Sequence, residues 1–285
     1  MSTPLRWPAE ALWEAVAPSL PGFTVEVLPS VDSTNTELMR RARAGRVDPV
    51  LLVAEQQTAG RGRMGRAWQS RAGDSLTFSL GLPLAPVDWS GLSLAVGVSV
   101  AESLQPVLPR EGSAVPRVGL KWPNDLWLGG AGGDRKLGGI LVETASFVAP
   151  QGTGPGPHAV PARYVVVGIG LNVLPQDGQG MSLAPGSLQE VEDGLDAPAA
   201  LLRVVPPLVG MLQSFAAYGF GPMQPRFALR DVLQGRGVRL SDGTSGTAHG
   251  VGEDGALLVH TAGGMLPVTS SEISVRPVAS GGSSA

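Results

Sequence analysis

The chain has 285 residues, 43% hydrophobic and 16% charged, enough to bury a substantial core and far from the composition of a disordered segment. With 21 basic residues against 24 acidic, the formal net charge is -3. Overall charge therefore does not draw the molecule to nucleic acid or an anionic membrane, and any phosphate recognition must be local. Cysteine is absent, which excludes disulfides and thiolate chemistry and is compatible with the cytoplasm. His158, His249 and His260 are too scattered along the chain to read as a metal site.

Pro8 followed by Ala9-Glu10-Ala11-Leu12-Trp13 predicts a short helix opened by proline. Residues 1–22 read as an N-terminal extension with no apolar leader, too short for a DNA-binding three-helix unit. A strand over Thr24 to Leu28 leads into Ser33-Thr34-Asn35-Thr36-Glu37, where Thr34 and Glu37 have capping-box spacing and a helix carrying Leu38, Met39 and Ala42 follows. Strands are predicted at Leu51 to Glu55 and Ser75 to Leu82, and a helix within Ser90 to Leu104. Val118 to Lys121, Gly139 to Phe147 and Tyr164 to Leu171 read as further strands, the last nearly all apolar and therefore central in a sheet. Between the last two, Ala149 to Pro157 is rich in Gly and Pro and predicts a long hairpin loop. Pro175 to Ser187, polar and Gly-rich directly after an apolar strand, is a candidate lid. Pro198 to Tyr218 is helical by composition, with Pro206-Pro207 expected to kink or split it. No run reaches about 18 uncharged apolar residues, so no transmembrane helix is expected. From Gly235 onward, short β segments at Val238 to Leu240, Ala256 to Thr261 and Ile273 to Arg276, with Asp242-Gly243 and Asp254-Gly255 turns, predict a small separate β-barrel over 235–280.

Three clusters carry the chemistry. In Gly60-Arg61-Gly62-Arg63-Met64-Gly65-Arg66-Ala67-Trp68, glycine lets backbone amides approach a ligand while guanidinium groups surround it, which suits a carboxylate or a phosphate. The three glycines match G-x-G-x-x-G. A dinucleotide fingerprint, however, starts at a strand end and opens a helix at once, whereas four residues separate the strand from Gly60 and the sequence after Gly65 is a poor amphipathic helix. Only two of the 21 basic residues are lysine, and they fall in the other clusters: Lys121-Trp122-Pro123-Asn124-Asp125 and Arg135-Lys136-Leu137-Gly138-Gly139-Ile140-Leu141. Lys121 has a plain structural alternative, an ion pair with Asp125.

These clusters, with Ser33-Thr34-Asn35 before them and Gly168-Ile169-Gly170-Leu171-Asn172-Val173 after them, resemble biotin protein ligases in order and spacing over about Pro29 to Val278. The resemblance implies an α/β (α+β) fold with a mixed sheet, like that of class II aminoacyl-tRNA synthetases, over 23–234, followed by an SH3-like domain over 235–280. It implies ATP-dependent formation of biotinyl-5'-AMP and transfer of biotin to a lysine of a biotin carboxyl carrier domain, with Mg²⁺ beside the ATP. On the family pattern, Ser33, Thr34, Asn35, Gln57, Arg61, Gly62, Arg63, Lys136 and Gly139 correspond to the biotin site. Arg61, Arg63, Arg66, Trp68, Lys121, Asn124 and Asn172 correspond to the ATP and adenylate site, and Lys136, Arg63 and Asp125 to the catalytic set. Asp125 is the candidate to orient Mg²⁺ or to take the acceptor amine's proton. Met64 stands where the family usually has a second basic residue of the loop, and the loop after Phe147 is enlarged. Lipoate ligases lack the Gly-Arg alternation and the Lys-Trp-Pro-Asn-Asp block and rank second. A biotin-responsive DNA-binding repressor is the alternative from another class, disfavoured by the short N-terminus and the negative charge. No DNA or membrane partner is expected, and the strand starting near Gly139 could pair with a second copy if it lies at a sheet edge.

Overall fold

The computed structural model describes residues 5–130, 133–146, 162–178, 183–269 and 275–277. In chain order the larger part contains α1 (Ala9–Val16), β1 (Thr24–Val31), α2 (Thr34–Arg43), β2 (Val50–Gln57), β3 (Ser75–Leu84), α3 (Leu92–Leu104), β4 (Arg117–Lys121), β5 (Asp125–Gly129), β6 (Arg135–Ser146), β7 (Arg163–Asn172), α4 (Ala197–Tyr218) and α5 (Gln224–Ala228). Its seven strands form one sheet in the order β1-β2-β3-β7-β6-β5-β4. β1 and β2 are parallel and every other neighbouring pair is antiparallel, so the sheet is mixed. The apolar strand β7 is central, as its valines, isoleucine and leucine, interrupted only by Gly168 and Gly170, predict.

Alternation along the strands divides the core. Leu51 and Val53 of β2 face a large cluster with Leu76, Phe78 and Leu80, while Val50 and Leu52 face a smaller one with Leu38, Met39 and Ala42 of α2. Helix α3 is buried on nearly every side, lying between the sheet and α4. Among the described helices α4 alone is long and apolar enough to cross a bilayer by length and composition. Its residues Leu201, Val204, Val205, Leu208, Leu212 and Phe215 are fully buried, the stripe of a core helix.

Several expectations are corrected. Pro206-Pro207 does not split α4, which runs continuously through both. The carbonyls these prolines leave without an intrahelical donor belong to Leu202 and Arg203, both exposed, where water can replace the missing N–H. The cap of α2 is Ser33, whose hydroxyl accepts from Thr36 N, and Glu37 instead pairs with Arg40 and Arg41. Strand β5 was not anticipated. The loop expected over 149–157 lies outside the described residues.

The second sheet holds β8 (Gly237–Leu240), β9 (Ser245–Val251), β10 (Leu257–Thr261), β11 (Gly264–Val268) and β12 (Val275–Pro277), all antiparallel, in the order β11-β10-β9-β8-β12. Among the described residues β11 and β12 are not paired with each other, so the ladder is open. This is the SH3-like C-terminal part, and both predicted turns form in it: Thr244 N donates to Asp242 Oδ1 and Ala256 N to Asp254 Oδ1. It is fastened to the larger sheet by the indole of Trp122, fully buried, which donates to the carbonyl of Gly255 at 3.0 Å.

Candidate active site

The Arg-rich segment joins β2 to β3 as a small closed loop. Trp68 N donates to Gly60 O at 2.8 Å, Gly62 N to Arg66 O at 2.7 Å, and Arg61 bridges Ala67. Only a 3-10 turn, Arg63–Gly65, follows the first glycines, and Arg66 is extended, which removes the dinucleotide alternative. Met64, the position that departs from the usual basic residue, has φ 56 and is 60% exposed, the one non-glycine residue at positive φ among those described.

This loop packs onto β6 and β7, with Arg61 on Glu143 and Trp68 against Gly170. Beneath it is an open cleft of about 930 Å³, counting its mouth, lined by Ser33, Thr34, Asn35, Gln57, Arg61, Gly62, Arg63, Arg66, Trp68, Lys121, Asn124, Asp125, Lys136 and Gly139. Every residue singled out in the sequence reaches this wall except Asn172. Asn172 is buried, and its amide donates to the carbonyls of Lys136 at 3.1 Å and Gly186 at 3.0 Å. It supports the wall from behind instead of facing the cleft.

At one end of the cleft the groups are neutral and mutually bonded. Gln57 Oε1 accepts from Thr34 N at 2.8 Å, and Ser79 Oγ lies 2.7 Å from Thr34 Oγ1 and 2.6 Å from Asn35 Oδ1. Asn35 Nδ2 donates to Leu141 O and to Glu143 Oε2, so its amide is committed to the protein. Gly168, on β7 behind it, has no room for a side chain, since a Cβ there would sit 2.0 Å from Asn35 Oδ1.

At the other end charge dominates. Lys136 Nζ is 2.7 Å from Asp125 Oδ1, and Lys121 Nζ is 3.9 Å from Asp125 Oδ2, so the structural alternative for Lys121 and a place in the cleft are both realised. Lys121 also lies 5.3 Å from the centroid of the Trp127 ring. Burial pulls the Lys121 pKa below its ordinary value while Asp125 opposes the shift, and burial likewise lowers Arg63, again against Asp125. Arg63 Nη1 donates to Asn124 Oδ1 at 3.4 Å, and Asn124 Nδ2 to Ile140 O at 2.8 Å. Four cations, Arg63, Arg66, Lys121 and Lys136, thus gather at one carboxylate, two of them penalised by burial, and an incoming anion relieves that imbalance; Arg61 is paired with Glu143 instead.

Among the described residues no cluster of three or more His, Asp or Glu side chains could cage a metal. Mg²⁺ takes one or two carboxylates plus substrate phosphates, and the lining offers one carboxylate for that, Asp125.

Residues 27–152 match the Biotin/lipoate A/B protein ligase family, and residues 235–276 the Biotin protein ligase C terminal domain. The bifunctional ligase/repressor BirA of Escherichia coli strain K12 is 34% identical over 90% of this chain and 75% of its own length. The chain belongs to the biotin protein ligase family. The biotin--[acetyl-CoA-carboxylase] ligase of Paracoccus denitrificans is 29% identical over 87% of this chain and 98% of its own. Among solved structures, the biotin protein ligase from Aquifex aeolicus in complex with biotin and ATP superposes with a TM-score of 0.69 at 28% identity. It covers 89% of this chain and 99% of that one.

Three parts of the cleft and its surroundings escaped the sequence. Glu143 of β6 receives both Asn35 and Arg61, the latter at 3.2 Å; its signal was a carboxylate inside an otherwise apolar strand. Val275 of the C-terminal sheet lines the cleft, which no local pattern announces. The segment after 182 pairs with the catalytic strand: Lys136 N donates to Ala184 O at 3.0 Å and Gly186 N to Lys136 O at 2.8 Å. The candidate lid at 175–187 is therefore pinned at its C-terminal end to the strand that carries Lys136.

Proposed function

We propose that this chain activates biotin with ATP to biotinyl-5'-AMP and transfers the biotinyl group to a specific lysine of a biotin carboxyl carrier domain. The observation that carries this reading is the polarity of this cleft, neutral hydrogen-bonding groups at one end and Arg63, Arg66, Lys121 and Lys136 around Asp125 at the other. A neutral cyclic urea with a carboxylate tail fits the first end, and the anionic encounter of carboxylate and triphosphate fits the second.

A carboxylate does not acylate an amine at pH 7. It must first attack the α-phosphorus of ATP in line, forming the acyl–phosphate bond as pyrophosphate leaves. Ser33, Thr34 and Gln57 bond the ureido ring with the Arg61 to Arg63 backbone, and Asn35 fixes that end through Glu143. Lys136 bonds the biotin carboxylate and then the adenylate. Its compact ammonium can follow charge between the two, which a guanidinium fork cannot. Gly139 keeps the approach to Lys136 and Asp125 open. Arg61, Arg63, Arg66, Lys121 and Asn124 serve the phosphates, and Trp68 the base. Asp125, with the nucleotide's phosphates, would hold Mg²⁺, which would supply neutralising charge for the pyrophosphate. In the second step the acceptor amine attacks the acyl carbon, AMP leaves, and Asp125 is the carboxylate in position to take the amine's proton.

The same reading places 23–234 as the catalytic unit and 235–280 as an SH3-like domain that reaches the cleft through Val275, in a cytoplasmic enzyme that does not bind DNA. A homodimer is supported by β6. It lies inside the sheet, yet β5 covers only Arg135 to Gly139 and Asn124 only Ile140, so Val142 to Ser146 has one uncovered edge among the described residues. Incubation with labelled biotin, Mg-ATP and a carrier domain tests the function. Label on the carrier lysine is expected, and an unlabelled carrier refutes it. A gel shift with genomic fragments, biotin and ATP tests the DNA statement, and sedimentation the dimer.

A further inference from the structure

Side chains alternate along β6, and Gly139, Leu141 and Glu143 share the face turned to the cleft. Glu143 stands just beyond the lining, directly after the apolar run Ile140 to Val142. Its carboxylate takes donors from two separate parts of the wall. Asn35 Nδ2, at the start of α2, donates to Oε2 at 3.0 Å, and Arg61 Nη2, in the Arg-rich loop, donates to Oε1 at 3.2 Å. Withdrawing a carboxylate from water is costly, and bonds of this charged kind are what offset it.

We propose that Glu143 is a positioning residue for biotin. It fastens the loop over residues 60–68 to the neutral end of the cleft, so that the Arg61 to Arg63 backbone meets the ureido ring in register with Ser33, Thr34 and Gln57. The inference rests on the ligase reading above. Glu143 touches no reacting atom and acts through Asn35 and Arg61.

Hydrogen bonds run without a gap from the biotin end to the loop. Thr34 N donates to Gln57 Oε1, Ser79 Oγ lies against both Thr34 Oγ1 and Asn35 Oδ1, Asn35 donates to Glu143, and Glu143 receives Arg61. Asn35 is the fixed member of this chain. Its Nδ2 also donates to Leu141 O at 3.1 Å, its Oδ1 is taken by Ser79, and the backbone of Gly168 presses against it. Arg61 is the member that can shift. Its loop is closed on itself by the bonds from Trp68 N to Gly60 O and from Gly62 N to Arg66 O, so it moves as one piece, and a hold on Arg61 places the backbone of its neighbours too. The side chains of the pair are 47% and 28% exposed, so its loss shifts the loop by a modest factor and leaves the sheet folded.

The test compares wild type, Glu143→Gln, Glu143→Asp, Arg61→Gln and the double variant Glu143→Gln/Arg61→Gln, all without ATP. Brief trypsin digestion reads local opening of the loop as cleavage after Arg63 and Arg66, against cleavage after exposed Arg110 between α3 and β4 as internal standard. Calorimetry reads biotin affinity. Glu143→Gln is expected to speed loop cleavage and weaken biotin by about three- to tenfold with cleavage at Arg110 unchanged, and Glu143→Asp, which keeps the charge, to lie nearer wild type. Arg61→Gln should match Glu143→Gln, and the double variant should be no worse than either, because all three break one contact. Losses that add, or a folded Glu143→Gln with the cleavage and affinity of wild type, overturn the proposal. Where Glu143→Gln fails to fold, seen as faster cleavage at Arg110 too, Arg61→Gln decides, and wild-type behaviour there overturns the proposal equally. Failure of the ligase reading shows separately, as wild type that binds no biotin, while loop cleavage still decides whether Glu143 fastens the loop.

Discussion

The amide of Asn172 on β7 donates at 3.1 Å to the carbonyl of Lys136 on β6 and at 3.0 Å to that of Gly186, clamping the strand that carries the lysine to the segment beside it. Asn172→Ala removes a buried donor from two carbonyls, for a loss of about 1–3 kcal/mol in urea unfolding. The rate of adenylate formation should fall while the KM for biotin holds, because the neutral end of the cleft is untouched. A KM effect without a kcat effect would contradict the clamp.

Glu190 extends the same clamp. Its Oε1 accepts from Ser187 N at 2.9 Å, its Oε2 from the Arg135 guanidinium, and Arg135 precedes Lys136. Glu190→Gln keeps the shape and removes the charge. Stability should drop by about 0.5–1 kcal/mol in thermal unfolding, the range of partly exposed ion pairs, and the drop should shrink in high salt.

On β7 the backbone of Gly170 supports the indole of Trp68, and a Cβ there would lie 2.5 Å from Trp68 Cε2. Gly170→Ala must push the ring towards the cleft. If Trp68 serves the base, the KM for ATP rises about tenfold, near 1.4 kcal/mol, with the KM for biotin nearly constant. Steady-state kinetics with each substrate varied would separate the two.

Asp231 follows buried Arg230 and bridges Leu120, next to Lys121. Burial raises its carboxyl pKa to about 6, against two backbone N–H bonds that lower it, and Oδ2 has no hydrogen-bond partner among the described residues. The folded state therefore holds this proton more tightly than the unfolded chain does. Its contribution is fully present below about pH 4 and is lost as pH rises to about 6. Asp231→Asn keeps the acceptor for Leu233 N and removes the titration. The variant should gain up to about 3 kcal/mol relative to wild type between pH 4 and pH 7. Urea unfolding at the two pH values checks this, and an equal offset at both would refute it.

The sequence exposed elements whose burial is one-sided or complete. The runs at β2, β3 and β7 and the stripe of α4 are visible because apolar side chains recur at the spacing their faces need. β9, of small and polar residues, and β11, with Pro267, exist through pairing with β10, which no local pattern encodes. The cap of α2 shifted by one residue because Ser33, in the extended conformation, had its hydroxyl free for Thr36 N. At the cleft, alternating glycine and arginine and two isolated lysines drew attention by their types. Glu143 and Asn172 matter through partners far away in sequence: Glu143 meets Arg61 and Asn35 from 82 and 108 positions off, and Asn172 reaches Lys136 across 36.

The bond from Trp122 to the carbonyl of Gly255 spans 133 positions of sequence, and Trp122 stands between Lys121 and Pro123 in the wall of the cleft. During synthesis from the N-terminus, every charged group proposed for catalysis has emerged long before residue 255. Until the turn at Gly255 arrives, the indole N–H of Trp122 lacks its acceptor, a deficit of about 1–3 kcal/mol when buried. The wall that carries Lys121 and Asp125 is thus completed late. A growing chain lacks a finished site for making the adenylate until the turn at Gly255 has been translated.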